Sequence, residues 1–351
     1  MSDDLRRALD VATAVALEAG RRLRAELHRP GGPRGEQGHA PVDTEVEAWI
    51  RQTLTAAFPD DGFRAEEAPT ENRGPSGHSR STWLVDPNDG TSAFLKGHRG
   101  ASVSIARLRD EVPVLGVIYA YAAPDDDGDL FAWAEGCGSL RRNGHTIGHP
   151  GWPTALAAHH IVLISNSADR RSLLNARCTA PARYRPVPGI AYRLALAAAG
   201  EGVAAISLFG ARDFDYAAGH ALLRGVGGEL VDERGRPVRY QAERPTNVGF
   251  CFGGAPALLP GLVKRDWNSV LRAHNEVPSP ASPCGPPSPT SAPTPASWRG
   301  PRAAGWASSP ATPSAARWSS RTPPASPRRG PPASERSGWR HLRHHRRPAD
   351  R

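Results

Sequence analysis

Asp86 and Asp89 stand three residues apart in Trp83-Leu84-Val85-Asp86-Pro87-Asn88-Asp89-Gly90-Thr91-Ser92-Ala93-Phe94, among residues suited to metal-assisted phosphate chemistry. The apolar run Trp83–Val85 reads as the end of a buried strand. Pro87 has no amide proton for a ladder, so pairing is expected to stop at Asp86-Pro87. Asp89-Gly90 makes a tight turn, and Thr91-Ser92 are good residues for opening a helix. Two carboxylates thus leave a strand end beside a helix N-terminus. That place suits a hard cation on the carboxylates and a phosphate on the amides of Gly90, Thr91 and Ser92. Taken alone, the stretch also fits an Asp-Pro turn in which Asp89 caps the helix.

Two amphipathic helices precede the motif. Over residues 4–28, Leu5, Leu9, Ala12, Val15, Ala16, Ala19, Leu23 and Leu27 form one stripe, ended by Gly31-Gly32-Pro33. A second helix is expected from Asp43-Thr44 to Pro59, burying Val46, Ile50, Leu54 and Ala57, with Asp43 in its first turn. After the motif, 101–106 alternates with period two, Asp110-Glu111 turns the chain into 113–120, and 129–134 adds a third antiparallel strand. Asn143-Gly144 marks a further hairpin. The acidic run Asp125–Asp129 lacks the terminal Glu of a calcium loop and reads as a solvated turn. Further on, 160–165, 203–207 and 229–231 read as strands, and 190–199 and 215–223 as helices. Periodicity alone gives a mixed class with stacked α and β layers.

The chain is long enough for one large domain or two ordinary ones. No apolar run approaches the length of a membrane span, and the start Met1-Ser2-Asp3-Asp4 lacks the apolar core of a secretory leader. Cys137, Cys178, Cys251 and Cys284 are scattered and read as buried or incidental thiols in a reducing cytoplasm. The net charge of +9 belongs to the tail: residues 269–351 hold 13 basic residues against 3 acids, and the first 268 hold 31 against 32.

The string Asp86–Phe94 resembles the D-P-x-D-G-T-x-x-F signature of the inositol monophosphatase superfamily. Phe63-Arg64-Ala65-Glu66-Glu67 resembles that family's G-E-E element, and Asp213–Gly219 its W-D-x-A-A-G element, in the family's order. The resemblance covers about residues 5–265. It implies an α+β fold, the layered α-β-α-β-α sandwich of the inositol monophosphatase and fructose-bisphosphatase type. It also implies two or three Mg²⁺ ions held by Glu66, Asp86, Asp89, Asp215 and the carbonyl of Asn88. Oxygen-only ligands agree with Mg²⁺ rather than zinc. Thr91 with Asp43 would then polarise the attacking water, Glu66 would take part in catalysis, and Gly90, Thr91, Ser92 and Arg212 would bind substrate. Ala65 replaces a family Gly and Phe214 a frequent Trp, and neither position does chemistry. Leu208 stands where inositol-specific members place a Glu, which leaves a 3'(2'),5'-bisphosphate nucleotidase as the competing activity. A non-catalytic phosphate-binding module would need fewer acids. The expected partner is a small phosphorylated metabolite, with no membrane and with room for a homodimer.

The phosphatase domain is expected over residues 1–268. Residues 269–351, rich in Pro, Ser, Ala and Arg without an apolar period, read as a disordered tail. Its Arg and His clusters offer nucleic-acid binding, against which a plain solvated tail is the simpler reading. Arg far exceeds Lys, with only Lys96 and Lys264 present, as GC-rich coding produces. Read one base earlier, Trp306–Ser320 permits a phrase resembling the G-D-A-L-G-x-x-x-E element of ADP-ribosylglycohydrolases. The tail is therefore a candidate out-of-frame remnant of such a domain.

Overall fold

A computed structural model describes residues 2–36, 38–67, 80–241 and 244–275, all within one compact unit, Met1–Gly285. Two helices open the chain, α1 (Ser2–Leu27) and α2 (Pro41–Ala57). Helix α2 starts two residues earlier than expected because Pro41, with φ already set for a helix, takes its first position. A seven-stranded sheet follows: β1 (Gly62–Ala65), β2 (Ser81–Asp89), β3 (Ser102–Arg109), β4 (Val112–Ala120), β5 (Asp129–Ala134), β6 (Arg141–Arg142) and β7 (His145–Thr146), in that spatial order. The one-turn helix α3 (Thr91–Phe94) leaves the end of β2. Strands β3, β4 and β5 pair antiparallel as expected, and Asn143-Gly144 closes the β6–β7 hairpin.

The second half contains β8 (Ile161–Ser165), α4 (Ser172–Thr179), β9 (Arg183–Val187), α5 (Ile190–Ala198), β10 (Ala204–Ser207), β11 (Ala211–Arg212), α6 (Asp213–Gly225), β12 (Glu229–Asp232), β13 (Asn247–Val248), β14 (Cys251–Gly254), α7 (Leu259–Val263) and α8 (Trp267–Asn275). Five of these strands form a second sheet in the order β12-β14-β10-β8-β9.

Strand alternation separates the layers. On the large sheet Trp83, Val85, Val103 and Ile105 face α1 and α2. Leu84, Ala106 and Ile118 face the other way, onto α5 and α6, which also meet Leu163, Ala205 and Leu230 of the second sheet. The far side of that sheet, with Val162, Ile164, Ile206 and Phe252, is covered by α4, α7 and α8. The order is α-β-α-β-α, as the motif resemblance implied. Among the described residues no helix is long and apolar enough to cross a membrane.

Three expectations need correction. Strand β2 does not end at Asp86-Pro87. Pairing breaks after Asp86–Ser104 and resumes at Asp89–Ser102, so an irregularity lifts Pro87 and Asn88 out of the ladder while the strand continues. The acidic run is not wholly solvated: Asp129 is buried, gripped by Arg142 through bonds of 2.7 Å at both oxygens and by the Tyr192 hydroxyl at 2.9 Å. The boundary expected at 268 falls inside α8, whose Trp267 and Val270 are buried in the third core. Apart from 269–275, the tail lies outside the described residues.

Candidate active site

The irregularity in β2 turns the Asn88 side chain inward. Its Nδ2 donates to Asp43 Oδ1 at 3.0 Å, and its Oδ1 accepts from the Tyr121 hydroxyl at 2.7 Å. Gly90 follows at φ 105°, a conformation costly for any side chain, and the chain reverses into α3. The reversal places Thr91 Oγ1 2.9 Å from Asp43 Oδ2 and 3.0 Å from Asn88 O, two acceptors for one hydroxyl proton. Helix α3 is a single turn with little macrodipole, and its first internal bonds run from Ala93 and Phe94 N to Gly90 O. The amides of Gly90, Thr91 and Ser92 precede those bonds and so have no acceptor within the helix.

Four further carboxylates come from three parts of the chain. Glu66 follows β1, Asp86 and Asp89 lie on β2, and Asp215 is the third residue of α6. Burial pushes Asp86 well above the usual carboxylate range, and the charges of Glu66, Asp89 and Asp215 push the same way. Glu66 is exposed overall, yet its carboxyl is crowded by protein and lies against that of Asp86. Desolvation there lifts it to about 7, with Glu67 and Asp89 adding to the rise. Burial likewise raises Asp43 to about 7, against the hydrogen bonds from Thr91 and Asn88. It raises Asp89 to about 6, opposed by buried Arg193 and the α5 amides. Asp215 is raised by burial and then by Asp89.

Backbone amides hold two of these acids in place. Asp89 Oδ2 accepts from Ala191 N at 2.6 Å, at the start of α5, and Asp215 Oδ2 accepts from Arg212 N at 2.8 Å, which is why α6 begins at Asp213 rather than Asp215. Gly189 enters α5 at φ 43°, and a Cβ there would lie 2.5 Å from Asp89 Oδ2. On the other side, Glu67 N donates to Glu47 Oε2 at 2.6 Å, tying the end of the Glu66 segment to α2. Arg64 and Asp213, both buried, pair at 2.6 Å. Gly189, Arg193, Arg64 and Asp213 were not expected as parts of the site. Each acts across a long sequence separation, and the only sequence signal is a charge or a glycine in an apolar run.

Among the described residues no three Asp, Glu, His or Cys side chains already stand gathered around an ion position. The donor set nonetheless fits a hard divalent cation. It is all oxygen, and burial, with the charges of neighbouring acids added to it, opposes the ionisation of Asp86 and Asp215, a condition that cations relieve. Arg212 is exposed at the start of α6, its guanidinium 5.8 Å from the Phe214 ring centre. Lys96 Nζ lies 3.4 Å from Ser92 Oγ. Leu208 is partly buried, and neighbouring Phe209 is 49% exposed. A cavity of about 810 Å³ lies elsewhere, against His220 and Arg224 on the later turns of α6, and includes none of these acids.

The model of the inositol monophosphatase family matches residues 4–265. A probable inositol 1-monophosphatase, ImpA, of Mycobacterium tuberculosis is 31% identical over 239 residues, covering 65% of this chain and 82% of that protein. The 3'(2'),5'-bisphosphate nucleotidase CysQ of Aggregatibacter actinomycetemcomitans is 28% identical over 256 residues, covering 68% and 90%. Among solved structures, an IMPase of Thermotoga maritima superposes with a TM-score of 0.62 at 21% identity, covering 76% of this chain and 99% of its own. The inositol monophosphatase of Anabaena gives 0.57 at 24% identity, covering 78% and 98%. These superpositions speak to the fold.

Proposed function

The chain belongs to the inositol monophosphatase family, and from that premise we propose a Mg²⁺-dependent phosphomonoesterase that hydrolyses a small phosphate monoester such as inositol monophosphate. The observation that carries the reading is the hydrogen bond from Thr91 Oγ1 to Asp43 Oδ2 at the end of β2, beside Asp86, whose ionisation is opposed by burial and by the charges of Glu66, Asp89 and Asp215. Glu66, Asp86, Asp89 and Asp215 with the Asn88 carbonyl would hold two or three Mg²⁺ ions. Bound there, the ions supply Lewis acidity toward the phosphoryl oxygens and make water more acidic.

The chain's own groups do the rest. Thr91 Oγ1, with Asp43 and Asn88 O as acceptors, orients the attacking water, and Asp43 receives its proton through the hydroxyl. Glu66, resting on Asp86, offers a second proton acceptor at the cluster's open side. The amides of Gly90, Thr91 and Ser92 hold phosphoryl oxygens. Arg212 contacts the far part of the substrate. The burial of the three described cysteines, Cys137, Cys178 and Cys251, supports a reducing cytoplasmic setting.

A second reading, 3'(2'),5'-bisphosphate nucleotidase, is favoured by the loop after β10. It offers Leu208, the exposed ring of Phe209 and the cation of Arg212 where a polyol would want acceptors. Phosphate release from inositol 1-phosphate and from adenosine 3',5'-bisphosphate, with Mg²⁺ or with EDTA, tests both. The main reading expects Mg²⁺-dependent release with the higher kcat/KM on inositol 1-phosphate. A reversed preference selects the nucleotidase, and release of neither phosphate sinks both. Arg212→Ala should raise KM for the bisphosphate more than for the monophosphate.

A further inference from the structure

We infer that the buried ion pair Arg64–Asp213 is a positioning device that sets how Glu66 stands relative to Asp215, an inference that rests on the metal reading above. Arg64 Nη2 donates to Asp213 Oδ2 at 2.6 Å, and the two side chains are 6% and 1% exposed. Each lies two residues before an acid of the cluster: Arg64 before Glu66, Asp213 before Asp215. Strand β1 is four residues long and, among the described residues, sits at the sheet edge and pairs with β2 alone, and Glu66 comes just after its last residue. The ladder therefore does not fix Glu66. The Arg64 fork holds it from two residues before, as the Glu67 N–Glu47 bond does from one residue after; Arg64 Nη1 donates to Gln241 O at 3.0 Å, and Asp213 Oδ2 also accepts from Thr246 N at 3.1 Å. One charged contact thus ties β1, the first turn of α6 and the backbone at Gln241 and Thr246 together.

Stability alone does not account for such a pair. Desolvating two charges cancels most of their attraction, and apolar side chains of the same volume often do as well or better. What apolar packing lacks is direction, which the planar guanidinium supplies. Direction matters here because Mg²⁺ demands near-ideal ligand geometry. A small displacement of Glu66 against Asp215 then appears as lost cation affinity.

The test is Mg²⁺ binding by isothermal titration to the folded, metal-free protein, with no turnover involved. The double variant Arg64→Met/Asp213→Leu keeps the volume and removes the direction. Its Kd should rise about tenfold or more while its thermal melting stays near that of the parent. Arg64→Lys, which keeps the charge without the fork, should fall between. Arg236→Met, which breaks the 2.7 Å pair with Asp232 away from the cluster, should leave affinity unchanged. A folded double variant that binds Mg²⁺ within twofold of the parent overturns the inference. If the double variant does not fold, Arg64→Lys alone carries the test, since it keeps the charge and loses the fork: an affinity at least threefold weaker is expected, and one within twofold of the parent overturns the inference. A parent that binds no Mg²⁺ overturns the metal reading together with the inference; a parent that binds, with variants equal to it, overturns the inference alone.

Discussion

Replacing Gly189 by Ala adds one methyl group to a residue without a side chain, and should remove most of the activity. The new Cβ would stand 2.5 Å from Asp89 Oδ2 and 2.8 Å from Asp89 O. Both distances are far inside van der Waals contact, so the carboxylate or the first turn of α5 must retreat by roughly an ångström. A misplacement of that size at a reacting centre costs about 10²-fold. The backbone adds its own penalty. At φ 43°, ψ 130° an L-residue is strained by about 1–3 kcal/mol, which for a domain of this size lowers Tm by roughly 2–12 °C. The assay is kcat/KM for inositol 1-phosphate at saturating Mg²⁺, well below the variant's Tm, with the fold checked by circular dichroism. Gly227→Ala is the control. It also sits at positive φ, 67°, but its Cβ would meet only His149 Nε2 at 3.4 Å, so it should lose stability and keep activity. A folded Gly189→Ala protein with more than half the parent's kcat/KM would refute the claim that Asp89 must be held against α5.

Thr91→Ala should lower kcat by about 10²–10³-fold with little change in KM, because it removes the hydroxyl that Asp43 polarises; a steady-state profile showing the loss in KM instead would contradict this. A chain ending at Asn275 should keep full stability, whereas one ending at Lys264 should lose about 3–5 kcal/mol through Trp267 alone, read from urea midpoints. His220 is held down to about 3 by burial and by nearby Arg224, with its Nδ1 3.0 Å from the Tyr240 hydroxyl. Its folded value lies below its unfolded one, so its contribution is complete above about pH 6.5 and is lost as the pH falls toward 3. The buried acids of the cluster act in the opposite sense. The check is therefore the difference between parent and His220→Gln, which should lose less stability than the parent between pH 7 and 4.

The stretch proposed to do the chemistry was legible because its residues are close in sequence. Asp86, Asp89, Gly90 and Thr91 lie within six positions, and their types already suggested a cation and a phosphate. Asp43 and Asp215 were legible only through motif resemblance, since their meeting with that stretch depends on how α2 and α6 pack. Pro87 misled because a missing amide stops a ladder only where pairing is continuous, and the irregularity after Asp86 removes that need. Strand β1 went unseen: four residues interrupted by Arg64 carry no alternation, and the pattern makes sense only once Asp213 is opposite. The end of the domain was set too early because α8 is a short helix of mixed sequence in which Trp267 and Val270 are buried in the third core.

The most direct measurement is phosphate release from inositol 1-phosphate across a Mg²⁺ titration, for the parent and for Asp89→Asn and Asp215→Asn. Each substitution removes an anionic oxygen but keeps the shape and the acceptor for Ala191 N or Arg212 N. The account predicts no release in EDTA and saturable activation of the parent by Mg²⁺. It also predicts a loss of several kcal/mol of transition-state stabilisation, roughly 10³-fold, in both folded variants. Undiminished parent activity in EDTA, or either variant within about tenfold of the parent at saturating Mg²⁺, would contradict it.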